Sequence, residues 1–136
     1  MSIAQKQKEI IEEFAMFPTW MEKYEYIIEL GKDLPLISAD LKTDDYLIKG
    51  CQSRVWISAK KNENGIFHFS ADSDAIITKG IVALVVRIFD GEKGQDIVNA
   101  SMDFLTEIGL IENLSPTRSN GLSAMIKQMK MYALIM

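Results

Sequence analysis

Two alternating runs on either side of an Asn64-Gly65 pair constrain this chain more than any other feature. From Ser53 to Lys60, Val55, Ile57 and Ala59 point one way, and Arg54, Trp56, Ser58 and Lys60 point the other. From Ile66 to Ala71, Phe67 and Phe69 share one face, and Ile66, His68 and Ser70 share the opposite one. A period of two is the period of a strand, and Asn-Gly closing a short polar loop is a strong hairpin signal. The two runs predict an antiparallel hairpin with one apolar face. The segments around it must supply the cover.

Those segments read as helices. Residues 3–16 place Ile3, Gln7, Ile10, Ile11 and Phe14 on one stripe, and Phe17-Pro18 ends the pattern. Thr19-Trp20-Met21-Glu22 has the form of a capping box for a second helix from Trp20 to Leu30, with Trp20, Tyr24, Ile27 and Ile28 inward and Gly31 as a left-handed cap. Lys32 to Lys49 reads as a loop in which Leu34-Pro35-Leu36-Ile37 packs down as an apolar clip. After the hairpin, Ser73 or Asp74 is placed to cap a helix over roughly 75–89, with Ile77, Ile81, Leu84, Val85 and Ile88 inward and Gly80 allowing close approach of another element. Asp90 to Gly94 reads as a turn, and Gln95 to Asn99 as either a short helix or an extended piece. Ser101 is placed to cap a helix from Met102 to Ile108, ended by Gly109. Leu110 to Leu114 leads into a turn-rich loop, Ser115 to Gly121. A last helix over roughly 119–134 carries Leu122, Met125, Ile126, Met129, Tyr132 and Ala133 on one face. The plan is α+β: a small antiparallel sheet with helices packed on one face, in a single domain over 1–136.

Composition narrows the function classes. The chain of 136 residues is 48% hydrophobic and 25% charged, as expected of a globular protein large enough to bury a core. Its net charge is -4, with a pI near 5.0 and no basic block, which argues against nucleic-acid and anionic-membrane binding. The N-terminus has no signal-peptide pattern, and the most apolar run, Ala75 to Phe89, is broken by Lys79 and Arg87. A single cysteine forms no intrachain disulfide, so a reducing cytoplasm is the expected compartment.

That cysteine is the candidate for chemistry. It lies in Lys49-Gly50-Cys51-Gln52-Ser53-Arg54-Val55-Trp56, where a polar loop turns into the first strand. Position alone favours a buried, inert thiol, because free cysteine is among the most buried residue types. Against that, Gly50 permits unusual backbone angles, Lys49 and Arg54 are cations that favour a thiolate, and Gln52 and Ser53 offer donors to a sulfur anion. One Cys and one His are too few for a structural zinc site, and neither a phosphate-binding glycine loop nor a dinucleotide motif occurs. A Cys51–His68 nucleophile–base pair is disfavoured because His68 belongs mid-strand while Cys51 precedes the hairpin. Thiol–disulfide exchange needs neither base nor metal, since a thiolate attacks sulfur directly.

Gly50-Cys51-Gln52-Ser53-Arg54-Val55-Trp56 resembles the G-C-Q-S-x-V-W motif of SufE-like sulfur-acceptor proteins. Trp20 to Pro35 resembles that family's second helix and following loop. Ser73-Asp74-Ala75 with Lys79-Gly80 resembles its post-hairpin helix, and Leu114 to Leu122 its C-terminal loop and helix start. The matches are in the family's order and cover most of the chain. Lys23 stands where arginine is expected and Thr117 where serine is frequent.

The resemblance implies a fold similar to IscU-type scaffolds, and so a third strand, near Ile37–Leu41 or Leu47–Ile48. It implies a persulfide carrier rather than an enzyme in its own right. Cys51 would accept sulfur from a pyridoxal-phosphate cysteine desulfurase of the SufS or CsdA type and stimulate it. The sulfur would then pass to an iron–sulfur scaffold such as SufBCD. The pyridoxal phosphate belongs to the desulfurase, and this chain is expected to hold no cofactor and no metal. Gly50, Gln52, Ser53, Asp74 and Arg118 are expected near the cysteine loop or the partner surface; the plainer readings are a helix cap for Asp74 and a surface ion pair for Arg118. Cys51 is expected to rest against apolar neighbours and extend into its partner. A thiol hydrolase or peroxidase, a cluster scaffold and a binding module with an inert cysteine are the competing readings. Monomer and homodimer stay equally open.

Overall fold

The fold is described from a computed structural model covering residues 1–136. The chain runs α1 (Ile3–Ala15), α2 (Trp20–Gly31), a 3-10 turn (Ala39–Leu41), β1 (Val55–Lys61), β2 (Ile66–Ser73), α3 (Ile76–Phe89), β3 (Glu92–Lys93), α4 (Gly94–Asn99), α5 (Phe104–Glu107), α6 (Leu110–Asn113) and α7 (Pro116–Ile135). The sheet is antiparallel in the order β1-β2-β3, and Val55 pairs with Ser73 at one end of the hairpin while Lys61 pairs with Phe67 at the other. Val55, Ile57, Phe67, Phe69 and Ala71 are all buried, as the alternation requires, while Lys60 and His68 on the outer face are exposed.

Helix α3 is the centre of the core. Its expected stripe is buried, and so are Thr78, Val82, Ala83, Val86 and Phe89, so that it is enclosed nearly all round. Gly80 lets α2 cross it at backbone contact: a Cβ there would lie 2.1 Å from the Ile27 carbonyl oxygen. Gly31 faces the same crossing, where a Cβ would come within 3.1 Å of the Gly80 nitrogen. This replaces the capping role expected of Gly31. It remains helical, and Lys32 caps α2 in an ordinary right-handed conformation.

Other expectations need correction. The third strand is Glu92–Lys93, inside the segment read as a turn. The segments near Ile37 and Leu47 do meet the sheet, but only as single bridges, Leu36 to Ala71 and Leu47 to Trp56. Pro35 has no N–H to give, and the 3-10 turn at Ala39 ends the first segment's extension. Neither Ser73 nor Asp74 caps α3, whose N-cap Ala75 has no side-chain oxygen to accept a bond. Ser101 accepts from the Asp103 amide just before α5. Thr19 caps α2 through the Glu22 amide without a reciprocal bond, whereas the full capping box sits at Ser2 and Gln5 of α1. Helix α7 starts earlier than expected, at Pro116. The Ser115 hydroxyl accepts from the Arg118 amide, and a proline at the first helical position has no amide to leave unpaired. In the apolar clip, Leu34 and Ile37 are buried but Leu36 is exposed.

Candidate functional site

The segment before the cysteine covers the free edge of β1. The Ile48 amide donates to the Val55 carbonyl at 2.8 Å, and the Ile57 amide to the Tyr46 carbonyl at 3.0 Å. Farther back, Lys42 pairs with Asp72 and lies 5.5 Å from the centre of the Trp56 ring, while Lys79 stands 3.5 Å from the same carboxylate. Burial alone would push the Asp72 carboxyl up. The bonds from Lys42 and the Ser73 amide, with the charges of both lysines, outweigh it and hold the group below the usual range.

The chain then turns at Gly50, whose φ of +96° is a left-handed conformation that disfavours any side chain. The loop is re-attached at Arg54. Its amide donates to Asp74 Oδ1 at 3.0 Å, and its carbonyl accepts from the Ser73 hydroxyl at 2.8 Å. Asp74 thus joins the cysteine loop to the end of the hairpin, which explains its place beside the loop without a capping role.

Cys51 is half-buried, free and placed against α7, where its thiol donates to the Gly121 carbonyl at an Sγ–O distance of 3.6 Å. A Cβ on Gly121 would lie 3.2 Å from the sulfur, so this helical glycine makes room for the thiol. Beside the sulfur is a cavity of about 70 Å³, lined by Thr78 and Ile81 of α3, by Thr117, Arg118, Gly121 and Met125 of α7, and by Gln52 and Ser53 of the loop. The space exceeds what one water-sized atom needs. Arg118 makes no ion pair. Its guanidinium donates to the Tyr24 hydroxyl at 3.1 Å, tying the first turn of α7 to α2.

Burial pushes the Cys51 thiol above its ordinary value. Lys49 and Arg54 are exposed and take no part in the shift, so the expectation that they favour the thiolate fails for this position of the loop. His68 pairs with Lys60, five positions along β1 from Val55, or about 17 Å at ~3.4 Å per residue. Its ring faces Asp90 at 3.5 Å, and it lies away from the thiol. No group of three or more His, Cys, Asp or Glu side chains is arranged to hold a metal ion. No helix is long and apolar enough to cross a membrane.

Thr78, Ile81, Gly121, Met125 and Tyr24 are site or supporting residues to which sequence reasoning gives no role in the site. For Thr78 a signal exists: it carries the one hydroxyl of α3, on a helix whose other residues are apolar or glycine apart from Lys79 and Arg87. Gly121 reads as a turn residue.

A protein-family model described as the SufE Fe-S metabolism associated domain matches residues 8–133. An uncharacterized SufE-like protein of Rhizobium etli is 38% identical over 126 residues, covering 90% of this chain and 85% of the relative. The solution structure of a hypothetical protein from Thermus thermophilus has a similar fold, with a TM-score of 0.77 over 95% of this chain and 93% of that one, at 20% identity.

Proposed function

Since the chain belongs to the SufE family and so to iron–sulfur metabolism, we propose that it is a sulfur carrier whose acceptor is Cys51. A pyridoxal-phosphate cysteine desulfurase, of the SufS or CsdA type, supplies a persulfide on its own cysteine. The Cys51 thiolate attacks the outer sulfur. The new S–S bond forms on Cys51 as the bond to the desulfurase cysteine breaks, and that cysteine departs as a thiolate. The sulfur keeps its oxidation level, so no redox cofactor is needed. An acceptor thiolate on a scaffold of the SufBCD type takes the sulfur in the same way. Clearing the desulfurase cysteine also raises its turnover. The work is done in the cytoplasm, where a thiol stays reduced.

One observation carries the reading. The only thiol sits on a glycine-hinged loop beside a small pocket, with neither a base nor a set of metal ligands near it. At rest the sulfur is protonated and sheltered, and reaching a partner means leaving Gly121 for water, where the ordinary pKa returns. A hydrolase would need a base near the thiol, and His68 stands toward the far end of the hairpin.

Incubation with a cysteine desulfurase and L-cysteine, without reductant, tests the role. Intact mass is expected to rise by one sulfur atom in the parent and stay unchanged in Cys51→Ser. No adduct together with no stimulation of the desulfurase would overturn the proposal.

A further inference from the structure

Thr78 is only 6% exposed, and it lines the cavity beside Cys51. Its hydroxyl is paired with no other side chain. No side-chain oxygen or nitrogen of the chain is both sealed and unpaired, so this hydroxyl keeps some accessible surface, and Thr78 lines the cavity beside Cys51. Desolvating a hydroxyl is costly, and valine has the same shape without that penalty. Its neighbours along α3 are apolar or glycine apart from Lys79 and Arg87, and both of those are engaged elsewhere, by Asp72 and Glu13. Cys51 and Thr78 line the same cavity, so a second sulfur on Cys51 has open space beside it.

Two helix starts meet at that space. Thr78 is the third residue of α3, whose first turn has no side-chain cap, and Thr117 is the second residue of α7. The positive ends of two helices favour an anion between them. A persulfide ionises more readily than the thiol it comes from, and its charge lies on the outer sulfur.

Resting on the sulfur-carrier reading, we propose that Thr78 is a sulfur-binding residue, donating its hydroxyl hydrogen to the outer sulfur of a Cys51 persulfide held in the cavity. The unloaded thiol bonds to Gly121 and leaves Thr78 free; loading completes the site. Retention of the sulfur against reductants is therefore built into the carrier.

The test uses the full chain loaded without a desulfurase, so that it stands apart from the partner assay. Inorganic polysulfide donates a terminal sulfur to the Cys51 thiolate and leaves as the shorter polysulfide. Dithiothreitol then regenerates the thiol, releasing the outer sulfur as hydrosulfide while itself becoming a disulfide. Intact mass follows the loss of sulfur in the parent, Thr78→Val and Thr78→Ser, and alkylation follows the unloaded thiol. Thr78→Val is expected to lose sulfur about tenfold faster, as removal of a hydrogen bond to an anion implies. Thr78→Ser is expected to stay within about twofold of the parent, and the bare thiol to react alike in all three. Equal sulfur loss in Thr78→Val and the parent overturns the proposal. So does a matching rise in alkylation of the unloaded thiol, which signals a loosened loop. Serine behaving as valine does overturns it as well. A failed desulfurase assay with these results intact removes the partner reading and leaves the sulfur site standing.

Discussion

Helix α3 buries eleven of its fourteen residues, whereas none of the six residues from Lys49 to Arg54 is buried, although the two segments face each other across one cavity. The helix is held by contact in every direction, with α2 pressed onto Gly80 and the hairpin packed against it. The loop is held by a few separate bonds: Ile48 to Val55 on one side, Asp74 and Ser73 to Arg54 on the other, and the thiol to Gly121 between them. Close packing resists movement as a unit, while separate bonds break one at a time. A carrier needs both. The rigid part shapes the cavity, and the loosely tied part carries the sulfur out of it.

The largest expected effect comes from breaking the rigid side. Gly80→Ala puts a methyl group against the Ile27 backbone, and α2 cannot yield without leaving the core. A loss of about 3 kcal/mol or more is expected in urea unfolding, at the upper end of overpacking effects. A loss under about 1 kcal/mol would mean that the crossing is loose.

Asp72→Asn weakens the clamp between the segment before the loop and the sheet. Both lysines are partly exposed, so the loss at neutral pH is expected to be about 1 kcal/mol. Because the folded carboxyl lies below its unfolded value, its stabilising effect is present above about pH 4 and fades as pH falls through the folded value. Parent and variant are therefore expected to converge in acid, which paired unfolding curves at both pH values check.

Asp74→Ala acts most locally. It frees the Arg54 amide at an exposed position, and its cost to stability is expected to stay near 1 kcal/mol. Hydrogen exchange at Arg54 is expected to quicken by about fivefold, with the α3 amides unchanged. Equal acceleration in both would show that loop and helix open together.

The same contrast explains what could be read from the sequence. The hairpin, α1 and the stripe of α3 were legible because burial imposes a period on successive residues, as in Val55-Ile57 and Phe67-Phe69. Strand β3 was not, because Glu92 and Lys93 are too few to have a period. The start of α7 was hidden because Ser115, Pro116, Asn120 and Gly121 are turn formers, while the first two also begin helices. Gly31 and Gly121 resemble a cap and a turn residue for a shared reason. Each is glycine to admit a distant neighbour, Gly80 or Cys51, and local sequence carries no trace of such a contact. At the site, the loop character of Gly50 to Ser53 was legible; Asp74 and Arg118 were singled out only by the family resemblance, and the structure sets Asp74 against the Arg54 amide and Arg118 on the cavity wall. The upward shift of the thiol was not, because it comes from burial of the sulfur and not from the charges at Lys49 and Arg54.

The central claim, a thiol sheltered at rest on a loop able to release it, is tested most directly by the alkylation rate of Cys51 at about pH 7.5, compared with that of a cysteine in an unstructured peptide. Burial of the sulfur and its raised pKa predict a rate at least about tenfold slower in the folded protein. A rate equal to the peptide's would mean that Cys51 has no sheltered position.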